Sequence, residues 1–164
     1  MPVDIPSYSA SELESIGQEF LRLHHDPTVV PIDIDLLIER AGYDIRPIQG
    51  LQRHHGVMGV PVYYRAITAI CIDSELIDRK PLIARFTEAE ELAHILLHSL
   101  VFEDCRSLEE AIERYMELEG NDIWIMDRNA RYFGGGPPDA ESASSGRSGS
   151  YPPADRLPDV SVTS

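Results

Sequence analysis

Cysteine is scarce in this chain, and its placement argues against two common roles. Of the 164 residues, two are cysteines, Cys71 and Cys105, which lie far apart and lack the C-x-x-C spacing of a redox or zinc motif. They also do not form the closely spaced framework of a disulfide-stabilised secreted domain. We therefore expect a protein of a reducing compartment, the cytoplasm.

Basic residues are also few. The chain has 14 lysines and arginines against 28 acidic residues, a formal net charge of −14, which repels nucleic acid phosphates and anionic membranes. We expect no direct nucleic acid contact. The acidity suits a basic protein partner and equally suits plain solubility. The N-terminus lacks the pattern of a signal peptide, and no apolar run approaches the roughly 20 residues of a membrane span, so no membrane association is expected.

The composition changes sharply after Phe133. In residues 134–164, 17 of 31 positions are Gly, Pro or Ser, and one is aromatic. A segment of this kind cannot bury enough apolar surface to order itself. We therefore predict a folded domain over residues 1–133 and a disordered tail over residues 134–164.

The predicted domain has helices on both sides of three strand-like runs. The helices are predicted from Ser9 or Ser11 to about His24, from Asp33 to Ala41, over Pro81–Leu100, from Ser107 to Gly120, and from Asn121 or Asp122 to about Phe133. The strands are predicted over Tyr43–Ile48, Val57–Tyr63 and Ile67–Asp73, and Pro61 marks the second as an edge strand. This order predicts an α+β domain whose helices pack on a small three-stranded antiparallel sheet.

Polar residues within the long apolar helix are the main functional signal. Glu90 and His94 are four positions apart, so their side chains leave one face of the helix with Cβ atoms about 5–6 Å apart. Two such donors can share a metal ion, and Glu91, roughly 100° further round the helix, can hold a metal-bound water. The spacing is that of HExxH with Glu90 in the first histidine position. Equally, the two glutamates can line a hydrated stripe and His94 can be a hydrogen-bonded core histidine.

A third ligand is needed, because catalytic zinc sites usually have three protein ligands and a water. On the last helix, Asp127 lies within the apolar stripe that includes Met126 and Ala130, and an acid on such a stripe needs a partner. We interpret Asp127 as the third ligand. The alternative is a salt bridge to Arg128 or Arg131.

Four segments together resemble the ImmA/IrrE family of metallopeptidases. They are Val30–Ile34 before the second helix, Arg85–Thr87, His94–His98 and Asp127–Phe133. The resemblance covers most of residues 28–133 and implies a zincin-like metallopeptidase fold with bound Zn²⁺. It also implies an endopeptidase that cleaves a helix-turn-helix transcriptional repressor, which derepresses stress-response or mobile-element genes.

The resemblance assigns roles by position. Glu91 matches the catalytic base, His94 the second zinc ligand, and Asp127 the third ligand. Glu90 stands where the family has its first histidine ligand. His98 is expected to be a helix-end residue stabilised by the helix dipole and not a ligand. The remaining histidines, which are His24, His25, His54 and His55, are interpreted as loop or helix-end residues.

The Glu90 substitution changes the chemistry of the predicted metal site. A second carboxylate ligand removes the net positive charge that a His/His/carboxylate set leaves on Zn²⁺, so the pKa of bound water falls less. Carboxylates also shift metal preference towards Mn²⁺. The alternative function is therefore a catalytically weakened, peptidase-like module that binds a repressor or other regulatory protein without cutting it.

The resemblance stops beyond Gly135. The family continues with Ala or Gly followed by Leu-Leu-Met-Pro, whereas this chain continues with Gly136–Ala140, which reads Gly-Pro-Pro-Asp-Ala. One permitted set of codons for these residues and the start of Glu141, read one base further on, encodes Gly-Leu-Leu-Met-Pro. A frameshift origin of the tail is the resulting hypothesis.

We expect a chain shortened to end at Phe133 or Gly135 to fold on its own, because every periodic apolar segment precedes the tail. Thermal unfolding followed by circular dichroism measures this directly. Loss of the cooperative transition on shortening would show that the tail belongs to the domain.

Overall fold

The computed structural model describes residues 4–64, 67–118 and 120–133. The predicted disordered tail lies outside the described residues. The elements in chain order are α1 (Ala10–His24), α2 (Ile34–Arg40), β1 (Asp44–Ile48), α3 (Leu51–His55), β2 (Gly59–Tyr64), β3 (Ile67–Asp73), α4 (Ser74–Arg79), α5 (Pro81–Leu97), α6 (Ser99–Phe102), α7 (Leu108–Glu117) and α8 (Gly120–Phe133). The predicted α+β class is confirmed. Among the described residues, no helix is long and apolar enough to cross a membrane.

The sheet is mixed, so the prediction of an antiparallel sheet is wrong in part. Its strand order is β1-β3-β2. β2 pairs antiparallel with β3, as expected for strands joined by a short connection, but β1 pairs parallel with β3. The reason is the segment between β1 and β2, which contains α3 and carries the chain across β3 to the far side of the sheet. β2 is an edge strand of this sheet, as Pro61 predicted.

Local capping chemistry explains where three helices begin. Ser9 forms a capping box with Glu12 at the start of α1, and the Asp33 side chain accepts a hydrogen bond from a backbone amide of α2. Ser107 caps α7 in the same way. These side chains satisfy amide groups that have no partner within the helix, and they confirm the predicted N-termini.

Some helix boundaries differ from the predictions. The long helix ends at Leu97 and is followed by the separate short helix α6. Gly120 is the first residue of α8 and does not end α7. The short helices α3 and α4 were not predicted. Both are tied to buried Asp73, whose two carboxylate oxygens accept hydrogen bonds from the amides of Gln52 and Glu75. The contact with Gln52 spans 21 positions and has no local signal, whereas the cap of α4 by Asp73 is local and was missed.

Helix α5 is the centre of the domain. It packs against β2, β3, α2, α4 and α8. Its buried residues are Ala84, Thr87, Glu88, Glu91, Leu92, Ala93, His94, Ile95 and Leu97. The prediction that this helix is buried is confirmed, and ionisable side chains are buried with it.

Glu88 faces α2 and is 5% exposed. Its Oε2 atom has no hydrogen-bond partner among the described residues. Burial, and then the neighbouring Asp35 of α2, raise the pKa of its carboxyl to about 8. Glu88 is therefore protonated at neutral pH, which removes most of the cost of burying a carboxylate.

We expect the stability of the chain to fall, relative to a Glu88→Gln variant, as the pH rises from about 5 to about 8. The folded chain holds the Glu88 proton up to about pH 8, whereas the ordinary carboxyl pKa is 4.5. The stabilisation is therefore complete below the ordinary pKa and is lost as the pH approaches the folded value. Thermal unfolding midpoints of both proteins across this range test it. Glu39→Gln, at an exposed position of α2, is the control and should not change the pH profile.

Candidate functional site

Helix α5 carries three of the predicted site residues within one turn and a half. Glu91 and His94 are 8% and 6% exposed, and the Glu90 side chain is 13% exposed. The helical spacing that predicted this arrangement is confirmed, because Glu90 to His94 is one helical turn of α5. All three therefore lie at the packed side of the helix and not on a hydrated stripe.

Helix α8 brings Asp127 to the same place. α8 packs along α5. The pKa of Glu91 is raised well above its ordinary value, first by burial, then by the charge of Glu90 and then by the charge of Asp127. Burial also raises the pKa of Asp127 to about 6. The structure thus brings the carboxyl groups of Glu90, Glu91 and Asp127 into one acidic cluster.

The arginines of α8 divide between two roles. The Nε atom of Arg131 lies 3.8 Å from Oε1 of Glu90, and its charge lowers the pKa of Asp127 against the effect of burial. Arg128 instead lies over the ring of Trp124, with its Cζ atom 5.9 Å from the ring centroid. Arg131 is therefore the arginine that interacts with the acidic cluster.

His94 interacts with a different neighbour. Its Nδ1 atom is 3.0 Å from Nδ1 of His98, and the two rings are 5.2 Å apart. Burial, and then the presence of His98, lower the pKa of His94 to about 3. His94 is therefore a neutral imidazole at physiological pH. This is the protonation state that a metal ligand requires.

The donor types at this site suit a divalent cation, although their present spacing does not form a ligand set. Two carboxylates and one neutral imidazole are ligands that Zn²⁺ and Mn²⁺ accept. A cation would also favour the charged forms of Glu91 and Asp127, whose pKa values are raised. In the part of the chain that the structure describes, however, no three His, Cys, Asp or Glu side chains stand close enough to hold a metal ion. The structure places Glu90 and Asp127 near Glu91 and holds His94 against His98.

Strand β2 crosses directly over Glu91. A Cβ atom built on Gly59 would lie 2.8 Å from Cγ of Glu91 and 2.8 Å from Cγ2 of Thr87. Both contacts are too short for real carbon atoms, so only glycine permits this approach of strand to helix. The edge strand and the predicted base are thereby held in contact.

Sequence reasoning missed His98 and Asn129. His98 does lie at a helix end, as the C-cap of α5, but it is fully buried and burial lowers its pKa to about 4, so it is a neutral core histidine and the helix dipole does not stabilise a charge on it. Its Nε2 atom lies 3.3 Å from Nδ2 of Asn129, which is also fully buried. The available signal was spacing: His98 follows His94 by four residues, just as His94 follows Glu90.

Tyr115 was also missed. Burial raises the pKa of its hydroxyl, and the charges of Asp127, Glu91 and Glu90 raise it further. This side chain of α7 therefore lies near the acidic cluster and keeps its proton. The remaining histidines lie at helix ends, as predicted: His24 and His25 at the end of α1, and His54 and His55 at the end of α3.

We expect Gly59→Ala to destabilise the chain by about 1–3 kcal/mol, as overpacking of a filled interior does. The added methyl group must displace Glu91 or Thr87, and Thr87 is held by a 2.9 Å hydrogen bond from its hydroxyl to the carbonyl of Ile83. Chemical denaturation measures the change. Gly120→Ala is the matched control, since a Cβ there meets no atom within 4 Å. Equal stability of the two variants would mean that β2 does not press on Glu91.

Comparisons with known proteins identify no relative of this chain. No family model matches it, no curated protein matches it, and no solved structure matches it.

Proposed function

We propose that this chain is a cytoplasmic metal-dependent endopeptidase of the ImmA/IrrE type, with a zincin-like fold. The observation that supports this most is the acidic cluster of Glu90, Glu91 and Asp127, in which two helices bring Glu90 and Asp127 near enough to Glu91 to raise its pKa. The neutral His94 lies one turn along α5 from Glu90. The close approach of the edge strand β2 to Glu91 is the second support, because an extended peptide can bind by adding to a strand edge.

In this proposal Glu90, His94 and Asp127 hold Zn²⁺, or Mn²⁺ as the second choice for a carboxylate-rich set. A metal held there would supply Lewis acidity towards a peptide carbonyl and towards water. Glu91 acts as the general base that takes a proton from the attacking water and delivers it to the leaving amine. Its raised pKa lies in the direction that suits such a base near neutral pH.

The proposed substrate is a helix-turn-helix transcriptional repressor, whose cleavage would derepress stress-response genes. The net charge of −14 favours a basic partner over nucleic acid or an anionic membrane. DNA-binding proteins present such basic surfaces. The exposed apolar side chains of Trp124 on α8 and Met116 on α7 lie on the helices that carry Asp127 and Tyr115, and they suit contact with a protein target.

A second candidate is a peptidase-like module that binds the repressor without cutting it. The pairing of Glu90 with Arg131 favours this candidate, since the guanidinium of Arg131 competes with a metal for a proposed ligand. Strand addition to the edge strand β2 is then the proposed mode of binding.

The two candidates differ in metal content and in the effect of two variants. For the peptidase, elemental analysis of the purified chain after dialysis should find about one divalent ion per chain. Glu91→Gln should keep the ion and abolish cleavage of a panel of helix-turn-helix repressors, because it removes the base and no ligand. Glu90→His should raise cleavage at neutral pH, because it restores positive charge at the metal.

Glu109→Gln, at an exposed position of α7, is the control and should leave metal content and cleavage unchanged. A chain that holds no metal, gains no stability with Zn²⁺ or Mn²⁺ and still captures a repressor would establish the binding module. Equal cleavage by wild type and Glu91→Gln would remove Glu91 from the role of base.

A further inference from the structure

The orientation of the buried Asn129 amide is determined by Pro6. The Nδ2 atom of Asn129 lies 3.3 Å from the carbonyl oxygen of Pro6, and a carbonyl oxygen can only accept a hydrogen bond. The atom facing it must therefore be the amide nitrogen, because the opposite orientation would place two acceptors against each other. The Oδ1 atom of Asn129 is then buried with no hydrogen-bond partner among the described residues.

This orientation determines the proton positions on two histidines in turn. The same Nδ2 atom lies 3.3 Å from Nε2 of His98, so it donates, and Nε2 of His98 must be the unprotonated acceptor. A neutral imidazole carries its one proton on the other nitrogen, so Nδ1 of His98 donates across 3.0 Å to Nδ1 of His94. Nδ1 of His94 is thus an acceptor, and the proton of His94 lies on Nε2.

We propose that Asn129 and His98 are positioning residues that set which nitrogen of His94 carries its proton. In the observed hydrogen-bond arrangement Nε2 of His94 is protonated. A metal ion can bind that nitrogen only when its lone pair is free of the proton. The metal part of this inference rests on the proposed function. It means that a cation at Nε2 of His94 must reverse the whole chain of hydrogen bonds.

The reversal balances without a net gain or loss of protons. Nε2 of His94 gives up its proton, the bridging proton moves from Nδ1 of His98 to Nδ1 of His94, and His98 takes a proton at Nε2. The amide of Asn129 turns over, so that Oδ1 accepts from Nε2 of His98 and finds the partner it now lacks. In exchange, Asn129 loses its hydrogen bond to Pro6 and its nitrogen becomes the unpaired atom.

Metal occupancy and docking of the N-terminal segment are therefore opposed. Pro6 adjoins Ile5, which is buried, and two residues further on the hydroxyl of Tyr8 donates to the carbonyl of Leu97 at 2.9 Å. Loss of the bond between Asn129 and Pro6 loosens this segment. Metal binding by the wild-type chain is thus weakened by the hydrogen bonds that must be rearranged.

The hydrogen-bonded chain from Asn129 through His98 to His94 is called the relay. Nitrogen NMR of the metal-free protein with ¹⁵N-labelled histidine tests it directly. Long-range correlations report which ring nitrogen carries a proton, and His98→Gln and His94→Gln assign the signals. We expect wild-type His98 to be protonated at Nδ1, the tautomer that free imidazole side chains do not favour, and His94 to be protonated at Nε2. A wild-type His98 protonated at Nε2, or an average of both tautomers, would overturn the proposal.

Asn129→Asp is the decisive variant, because a carboxylate of the same shape can accept and cannot donate. Nε2 of His98 must then carry a proton, and its ¹⁵N signal should move from the unprotonated to the protonated range. With the relay already set for a metal, Zn²⁺ should bind more tightly by on the order of tenfold, the lower end of the usual effect of partners that orient a metal ligand.

Asn121→Asp makes the same chemical change at an exposed position of α8 and should move neither signal nor affinity. If Asn129→Asp does not fold, the wild-type spectrum alone decides the relay. If Zn²⁺ binds neither protein, the proposed metal site fails, and the relay is still judged by the nitrogen signals. A wild-type chain that binds Zn²⁺ while Nε2 of His98 stays unprotonated would overturn the coupling between metal and relay.

Discussion

Helix α5 is enclosed by the sheet on one side and by α2, α4 and α8 around the others, and that enclosure removes water from four ionisable side chains. These are Glu88, Glu91, His94 and His98. A low dielectric penalises charge of either sign. The carboxyl pKa values therefore rise and the imidazole pKa values fall. The chemistry of the candidate site therefore depends on polar side chains that burial around α5 keeps neutral or hydrogen-bonded.

The acidic cluster can be stabilised in two ways, and they lead to different functions. The proton that Glu91 holds and the guanidinium of Arg131 beside Glu90 already offset part of the negative charge. In the proposed function a divalent cation does the same while releasing the proton of Glu91. Because both solutions use the same side chains, the choice between peptidase and binding module depends on the balance between a proton, an arginine and a metal ion.

The buried residues His94 and His98 show how the core can control the balance between a proton, an arginine and a metal ion at this site. They are linked to each other, to Asn129 and through it to the N-terminal segment. A histidine ligand needs a partner that holds its second nitrogen, and here the partner is a second histidine whose own tautomer is set elsewhere. In the proposed function, the affinity for a metal is therefore set partly by Asn129, which is not itself a candidate ligand.

The sequence by itself determined what depends on neighbours within a few residues. The caps at Ser9, Asp33 and Ser107 and the common face of Glu90 and His94 follow from helix geometry alone. The α+β class and the edge position of β2 followed from periodicity and one proline. The zincin-like fold and the metal stay predictions, because they rest on a resemblance that no comparison tests.

Only the tertiary structure decided the contacts between distant segments. The parallel pairing of β1 with β3 depends on how α3 redirects the chain. The approach of Gly59 to Glu91 depends on the spacing of sheet and helix. Asn129 meets His98 across 31 positions and Pro6 across 123. Such pairs carry no periodic signal, because their distance is set by the packing of every element between them and not by the helical repeat.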